Sequence, residues 1–305
     1  MQYDWNVNGL LKIKAGGRLD AFQPNQYNAS PMISARYTLS PGLELRGSYS
    51  RGFRIPQLFS EEVHTELVSG EIRVIRLADN LDAEQSDSYT LSLDYDKEWS
   101  GGQIELVAEG FYTRIHNPFV LEDASSEYDQ NVLEKRNGAG ATVQGINLEA
   151  AITNGRYYTL EATFTILRSR YDEVLKWSEE VGDDQLTRSF LRTPERYGSL
   201  MAGFSGLKNT EINASMIYTG PMWVQHYAGY IEADRLERTP DFVELNLKAS
   251  HTFKLKKNKL IVSAGINNLL DSFQEDFDRG PDRDASYIYG PQQPRTYFIG
   301  LRLHN

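Results

Sequence analysis

The chain has 305 residues, 24% of them charged, with 32 Lys and Arg against 42 Asp and Glu for a formal charge of -10. That sign excludes a surface built for nucleic-acid phosphates, and the absence of cysteine excludes disulfide frameworks and thiolate metal sites. No run approaches the ~20 apolar residues of a membrane helix, the nearest being Leu260 to Ile266; a β-barrel stays open, because its strands hide their hydrophobicity in alternation.

Taken in chain order, period-two alternation predicts about twelve strands, roughly at 9–22, 30–40, 43–52, 84–96, 103–116, 141–153, 156–170, 196–205, 209–220, 241–254, 259–270 and 294–303. Gly16-Gly17 interrupts the first of them. Ile33, Ala35, Tyr37 and Leu39 alternate with Ser34, Arg36, Thr38 and Ser40, and Tyr89, Leu91, Leu93 and Tyr95 with Ser88, Thr90, Ser92 and Asp94. Ile146, Leu148, Ala150 and Ile152 stand opposite Asn147, Glu149, Ala151 and Thr153, as Val243, Leu245, Leu247 and Ala249 do against Glu244, Asn246, Lys248 and Ser250.

Tight turns rich in Gly, Pro and Asn fall at Ser40-Pro41-Gly42, Lys97 to Gly102, Asn154-Gly155, Gly206 to Asn209 and Lys256 to Lys259. Longer polar stretches lie between them, at Phe53 to Ala83, His116 to Gly140, Tyr171 to Arg192, Pro221 to Pro240 and Asp271 to Pro294. Short turn and long loop in alternation is the pattern of antiparallel strands crossing an outer membrane. Aromatic residues gather near strand ends, with Tyr95 and Trp99 at a turn and Tyr218, Trp223, Tyr227 and Tyr230 around a loop, as membrane interfaces favour. A soluble β-sandwich also alternates, but its strands average ~5–6 residues and it has no reason to place every long loop at one end.

Four segments carry a family resemblance. Gly52-Phe53-Arg54-Ile55-Pro56 resembles the GFRxP segment of TonB-dependent receptors, and Asn80-Leu81-Asp82-Ala83-Glu84 resembles the N-L-x-x-E segment that follows it after a loop. Gly265-Ile266-Asn267-Asn268-Leu269-Leu270-Asp271 is similar to the penultimate strand, and Pro294-Arg295-Thr296-Tyr297-Phe298-Ile299-Gly300-Leu301-Arg302 to the closing strand. The wording is nearest to receptors of the Bacteroidetes group. The resemblance implies an all-β, antiparallel transmembrane barrel in the cell outer membrane, with residues 1–305 as the C-terminal portion of a 22-stranded whole.

It further implies uptake of a large scarce nutrient such as an iron-siderophore, haem or cobalamin. The implied partners are the TonB complex, that nutrient, outer-membrane lipid and a surface lipoprotein. Met1-Gln-Tyr-Asp-Trp offers no signal peptide, so the plug domain, the TonB box and the N-terminal strands are expected to precede this chain. One departure is the end, Leu303-His304-Asn305, where family members usually close on an aromatic residue.

An open sheet in lipid leaves on the order of ten unpaired backbone groups per edge at several kcal/mol each. Strands outside this chain are therefore expected to complete the barrel; the alternative is a self-contained small barrel acting as a passive pore or structural protein.

Among candidate site residues, the resemblance implies an iron-ligating role for His64, whose plain alternative is a solvated loop histidine. His226 sits within Trp223-Val224-Gln225-His226-Tyr227, aromatics able to stack on a planar or macrocyclic ligand or to serve a membrane-interface belt. His116 reads as structural, and His251 as an interface residue. Glu179, Glu180, Asp183 and Asp184, and Asp276, Asp278, Asp282 and Asp284, are expected to be solvated charge rather than a Ca²⁺ site, since Gly280 is misplaced for an EF-hand. Glu44, Arg46, Glu149, Glu161, Glu244 and Lys248 share the inward parity. No G-x-S-x-G, no H-E-x-x-H and no triad spacing occurs, so neither catalysis nor a cofactor is expected, and these patterns leave a metal site open.

Overall fold

The computed structural model describes residues 1–23, 26–57, 74–124, 132–155, 157–178, 186–256 and 258–304. Among them every element is a strand. The wall begins with β1 (Gln2–Asn6), β2 (Leu11–Gln23), β3 (Gln26–Ser40) and β4 (Leu43–Arg54). β5 (Val74–Leu77) belongs to a loop, and the wall resumes with β6 (Glu84–Trp99) and β7 (Gly102–His116). After the loop strands β8 (Phe119–Asp123) and β9 (Val132–Asn137) come β10 (Ala141–Asn154), β11 (Tyr158–Leu175), the short β12 (Thr187–Ser189), β13 (Arg196–Leu207) and β14 (Thr210–Thr219). The hairpin of β15 (Trp223–His226) and β16 (Arg235–Arg238) precedes β17 (Phe242–Leu255), β18 (Asn258–Asn267) and β19 (Thr296–His304).

The wall is one 14-stranded sheet in the order β1-β2-β3-β4-β6-β7-β10-β11-β13-β14-β17-β18-β19, with β12 paired to β11 off that path. Each of the twelve predicted strands is present. β1 and β12 were not foreseen: they are too short to show a period. The sheet does not close, and β1 and β19 are its two edges.

The tight turns form as their residues demand. Gly42 (φ 79) and Asn209 (φ 59) supply the left-handed conformations of two of them. All five fall at one end, and the long segments at the other carry two separate small sheets, β5-β9-β8 and β15-β16.

Register shows why the strands alternate. Tyr49, Tyr89 and Tyr112 lie side by side across β4, β6 and β7, with ring centroids 5.1 and 6.4 Å apart. Leu91, Ile146 and Ile299 on the same outward face are 58%, 51% and 81% exposed. Few apolar side chains are buried among the described residues: Phe119, Ala141, Val224, Phe242 and Tyr287. A sandwich would bury those rows against a second sheet, so the soluble alternative falls. What remains is a face that only lipid can cover.

The inward face is polar. Arg46 pairs with Asp94 at 2.9 Å and Arg36 with Glu44 at 3.4 Å. Thr165 donates to Asn147 at 2.9 Å, which donates to Glu109 at 3.1 Å. At the turn end, on the apolar-face parity expected of it, His251 meets Thr210 at 2.7 Å and packs on Phe253.

Candidate functional site

The long segments build a rim at one end of the wall, held by two clusters. The first stands over β4 and β6. Arg54 and Glu84 are cross-strand partners by register, and their side chains pair at 3.1 Å. Glu84 also accepts from the Phe119 amide at 3.2 Å. The Phe119 ring, almost wholly buried, has the Arg54 guanidinium 5.0 Å and the Lys135 ammonium 5.3 Å from its centroid. Lys135 donates to the Gln57 carbonyl at 3.3 Å, just past Pro56. Asn137 accepts from the Asp82 amide at 2.8 Å and donates to the carbonyls of Asp82 and Asn117, both at 3.0 Å.

Two of the motifs thus meet in space. Arg54 of the first and Glu84 of the second form the ion pair, and Asp82, directly after Asn80 and Leu81, is the backbone anchor for the loop that carries β8 and β9. Phe53, the neighbour of Arg54 on β4, has the Arg18 guanidinium 6.0 Å from its ring centroid. Asn80 is exposed, and Leu81 and Pro56 are half-buried.

The second cluster gathers three loops around His226, which is 4% exposed. Its Nδ1 lies 3.1 Å from Glu237, and its Nε2 lies 3.1 Å from both oxygens of Asp278. Its ring stacks on Tyr287 at 3.6 Å and 9°. Asp278 also accepts the Asp284 amide at 2.9 Å, and Asp284 accepts the amides of Tyr227 (2.9 Å) and Ser286 (2.8 Å). The fully buried Gln274 donates to the Tyr287 carbonyl and accepts from the amides of Tyr289 and Gly290. Gly290 is required by space: a Cβ there would sit 2.5 Å from the Phe242 ring. From the third loop, Arg192 donates to the carbonyls of Ile288 (3.0 Å) and Ser286 (2.7 Å), and its amide to the Trp223 carbonyl (2.7 Å).

The electrostatics follow from this packing. Burial pushes the Glu237 carboxyl up, but hydrogen bonds from His226 and Arg235 outweigh it and hold it below the ordinary carboxylate range. Burial, helped by the neighbouring Asp276, raises both the Tyr287 and the Tyr289 hydroxyl. Burial lowers the Arg192 guanidinium from its usual value.

Of the predicted site residues, the structure brings Trp223, His226 and Tyr227 onto one cluster but uses them differently. Trp223 is 41% exposed. Tyr227 is half-buried, 5.9 Å from the Trp177 ring. His226 is buried with both nitrogens engaged. Asp278 and Asp284, expected to be solvated, are 6% and 3% exposed; amide hydrogens and His226 take the place of water. His64 and the run Glu179, Glu180, Asp183 and Asp184 lie outside the described residues, among which no group of carboxylates and histidines could hold a metal ion. Sequence reading missed Gln274 and Phe277; the latter is 41% exposed with Arg279 5.4 Å over its ring. His116, read as structural, lies 3.1 Å from Asp87.

A wall with an oily outer face, a polar inner face, turns at one end and a folded rim at the other narrows the field to outer-membrane barrels. The sequence matches the family described as TonB dependent receptor-like, beta-barrel, over residues 1–269. The chain belongs to the TonB-dependent receptor β-barrel family. No curated protein sequence matches it.

Solved structures repeat the fold. A ferric enterobactin receptor of Pseudomonas aeruginosa is 15% identical with a TM-score of 0.66, covering 99% of this chain and 43% of its own. The siderophore receptor PirA of the same organism gives 15% and 0.65, covering 99% and 47%. The FrpB iron transporter of Neisseria meningitidis gives 15% and 0.66, covering 99% and 44%. This TonB-dependent receptor barrel therefore spans less than half the length of each of these relatives, in an outer-membrane fold with no enzyme among the three.

Proposed function

We propose that this chain is the C-terminal side of a receptor importing a large scarce nutrient, an iron chelate, haem or cobalamin, with energy delivered through TonB. The observation that carries the reading is a rim fixed from within. Three loops are locked by buried hydrogen bonds around His226, while Trp223, Tyr230 and Phe277 remain exposed at 41%, 57% and 41%. Flat aromatic faces on a rigid support suit a broad, weakly polar ligand, since the cost of ordering the loops is already met. In this reading Trp223 and Tyr227 touch the ligand, His226 holds them in place, and His64 contributes from the loop after the Phe53-Arg54-Ile55-Pro56 segment. The Asn80-Leu81-Asp82 segment, through Asp82, holds the loop of β8 and β9 at Asn137.

The solved relatives are a ferric enterobactin receptor, a siderophore receptor and an iron transporter, which supports an iron-bearing ligand. Strands outside this chain would cover the edges of β1 and β19, whose bare backbone groups lipid cannot satisfy. A plug filling the polar interior would link the receptor to TonB, and a surface lipoprotein would pair with the rim.

The test is growth of a strain lacking the receptor on single iron or corrinoid sources. Growth should fail on one source and return with the wild-type gene. Trp223→Ala with Tyr227→Ala should weaken binding of that source roughly 3- to 10-fold, the worth of one or two aromatic contacts. Unimpaired growth on every source would overturn the uptake reading.

A further inference from the structure

We infer that His226 is a proton-held latch of the rim: as a doubly protonated cation it ties the β15–β16 hairpin to the segment 272–293, and loss of one ring proton loosens both. The geometry of the ring carries the inference. Its Nδ1 faces a Glu237 oxygen at 3.1 Å, and its Nε2 faces both Asp278 oxygens at 3.1 Å. A neutral imidazole has one N–H and one lone pair, so only the imidazolium donates on both sides. The Tyr287 ring lies flat on it at 3.6 Å and 9°, a contact that also favours the cation. The pair is shut away from water, with the side chains of His226 and Asp278 5% and 1% exposed.

The two carboxylates are not equally provided for. Glu237 also accepts from Arg235 Nε at 2.7 Å and is 28% exposed. Asp278 has the Asp284 amide at 2.9 Å and pairs with no Lys or Arg among the described residues. When the ring gives up a proton, Arg235 still serves Glu237, so the remaining N–H belongs on Nε2. Asp278 then keeps a hydrogen bond but loses the charge opposite its own, and a charge-assisted bond is roughly twice as strong as a neutral one.

Imidazole is the side chain whose charge changes between about pH 6 and pH 8.5, and the groups packed around this ring are held otherwise. Glu237 is kept below the ordinary carboxylate range by His226 and Arg235, against the upward push of burial. Asp284 accepts the amides of Tyr227 and Ser286, and Asp234, on the same hairpin, accepts the Ala228 amide and the Ser178 hydroxyl. Burial and Asp276 push the Tyr287 and Tyr289 hydroxyls up. Arg192, from the third loop, holds two carbonyls as a guanidinium. The other described histidines do not share this position. His116 is 46% exposed and reaches Asp87 through Nε2 alone, where Arg51 already pairs at 2.9 Å. His251 meets a hydroxyl, and His304 is exposed at the end of β19. The direction follows: full hold with the ring charged, weaker hold as pH rises and the ring becomes neutral.

The experiment uses the full receptor, purified in mild detergent without ligand, and follows hydrogen exchange at about pH 6 and about pH 8.5 with each rate corrected for the chemistry of the amide. Protection across 222–240 and 272–293 should fall roughly tenfold at the higher pH, the difference between a charge-assisted hydrogen bond and an ordinary one. The strands β6, β7 and β10 should keep theirs. His226→Gln, which carries no titrating proton, should show low protection at both pH values, and Asp278→Asn, which removes the charge the ring answers, should flatten the dependence. No fall in wild type, a fall shared by the wall, or the same fall in His226→Gln overturns the latch. Should neither variant assemble, isotope-labelled histidine in wild type reads the ring itself by NMR. A solvent-shielded ring with both nitrogens protonated at about pH 6, and one of them by about pH 8.5, upholds the latch, and its absence overturns it. No ligand is present in either measurement, so these outcomes are distinct from those of the growth test.

Discussion

The rim over β4 and β6 and the rim over β13 to β18 are both stitched by charged side chains, yet they rest on different supports. In the first, Arg54 and Glu84 stand opposite each other because the ladder from Leu43 to Arg54 puts them there. Their side chains are 49% and 19% exposed, and the ion pair decorates a contact that backbone hydrogen bonds already fix. In the second, Asp278 lies in a segment that has no strand at all, and its side chain is 1% exposed against 5% for His226. No ladder sets that distance. Where register exists, side chains can be lost with little effect; where it does not, a few buried groups set the geometry alone.

The largest effect that can break this contrast is His226→Ala. It leaves Asp278 buried with one amide donor, a loss of ~3–5 kcal/mol for a broken buried pair. The wall should survive, because its ladder does not involve these groups. Hydrogen exchange should accelerate across 222–240 and 272–293 while β6, β7 and β10 keep their protection; equal loosening of the wall would refute the division. Asn268 tests the same idea at the base of the loop. Its side chain donates to the carbonyls of Ser272 (3.1 Å) and Gln293 (2.9 Å) and accepts the Ser272 amide (2.9 Å), at a φ of 50. Asn268→Ala loses the bonds and strains the backbone, at a cost of ~2–4 kcal/mol. Asn268→Gly relieves only the strain, so it should recover about 1 kcal/mol in denaturant unfolding.

These sites also mark what could be read beforehand. Every long strand was legible, because one face meets lipid and the other the lumen, and that division writes itself as period two. The Asn267-Asn268-Leu269 segment was visible as a motif, but not its reason: the second asparagine closes a turn. The pairing of His226 with Asp278 was not legible. It joins residues 52 apart in sequence through loops whose path obeys no period, and an acidic run looks the same whether it is solvated or folded inward. Lys135 is a like case, since its burial against Phe119 depends on a loop sheet of three short strands.

The smallest expected effect sharpens the comparison most. Arg54→Ala removes the partner of Glu84 and the cation over Phe119, but Glu84 keeps the Phe119 amide at 3.2 Å and the β4–β6 ladder keeps the backbone. An exposed pair of this kind contributes ~0.2–1 kcal/mol, so unfolding in denaturant should shift by no more than that. Exchange should rise only locally, around 117–123, where Phe119 is held. A loss comparable to that of His226→Ala would mean that strand register does not carry this rim, and that both clusters are held by side chains alone.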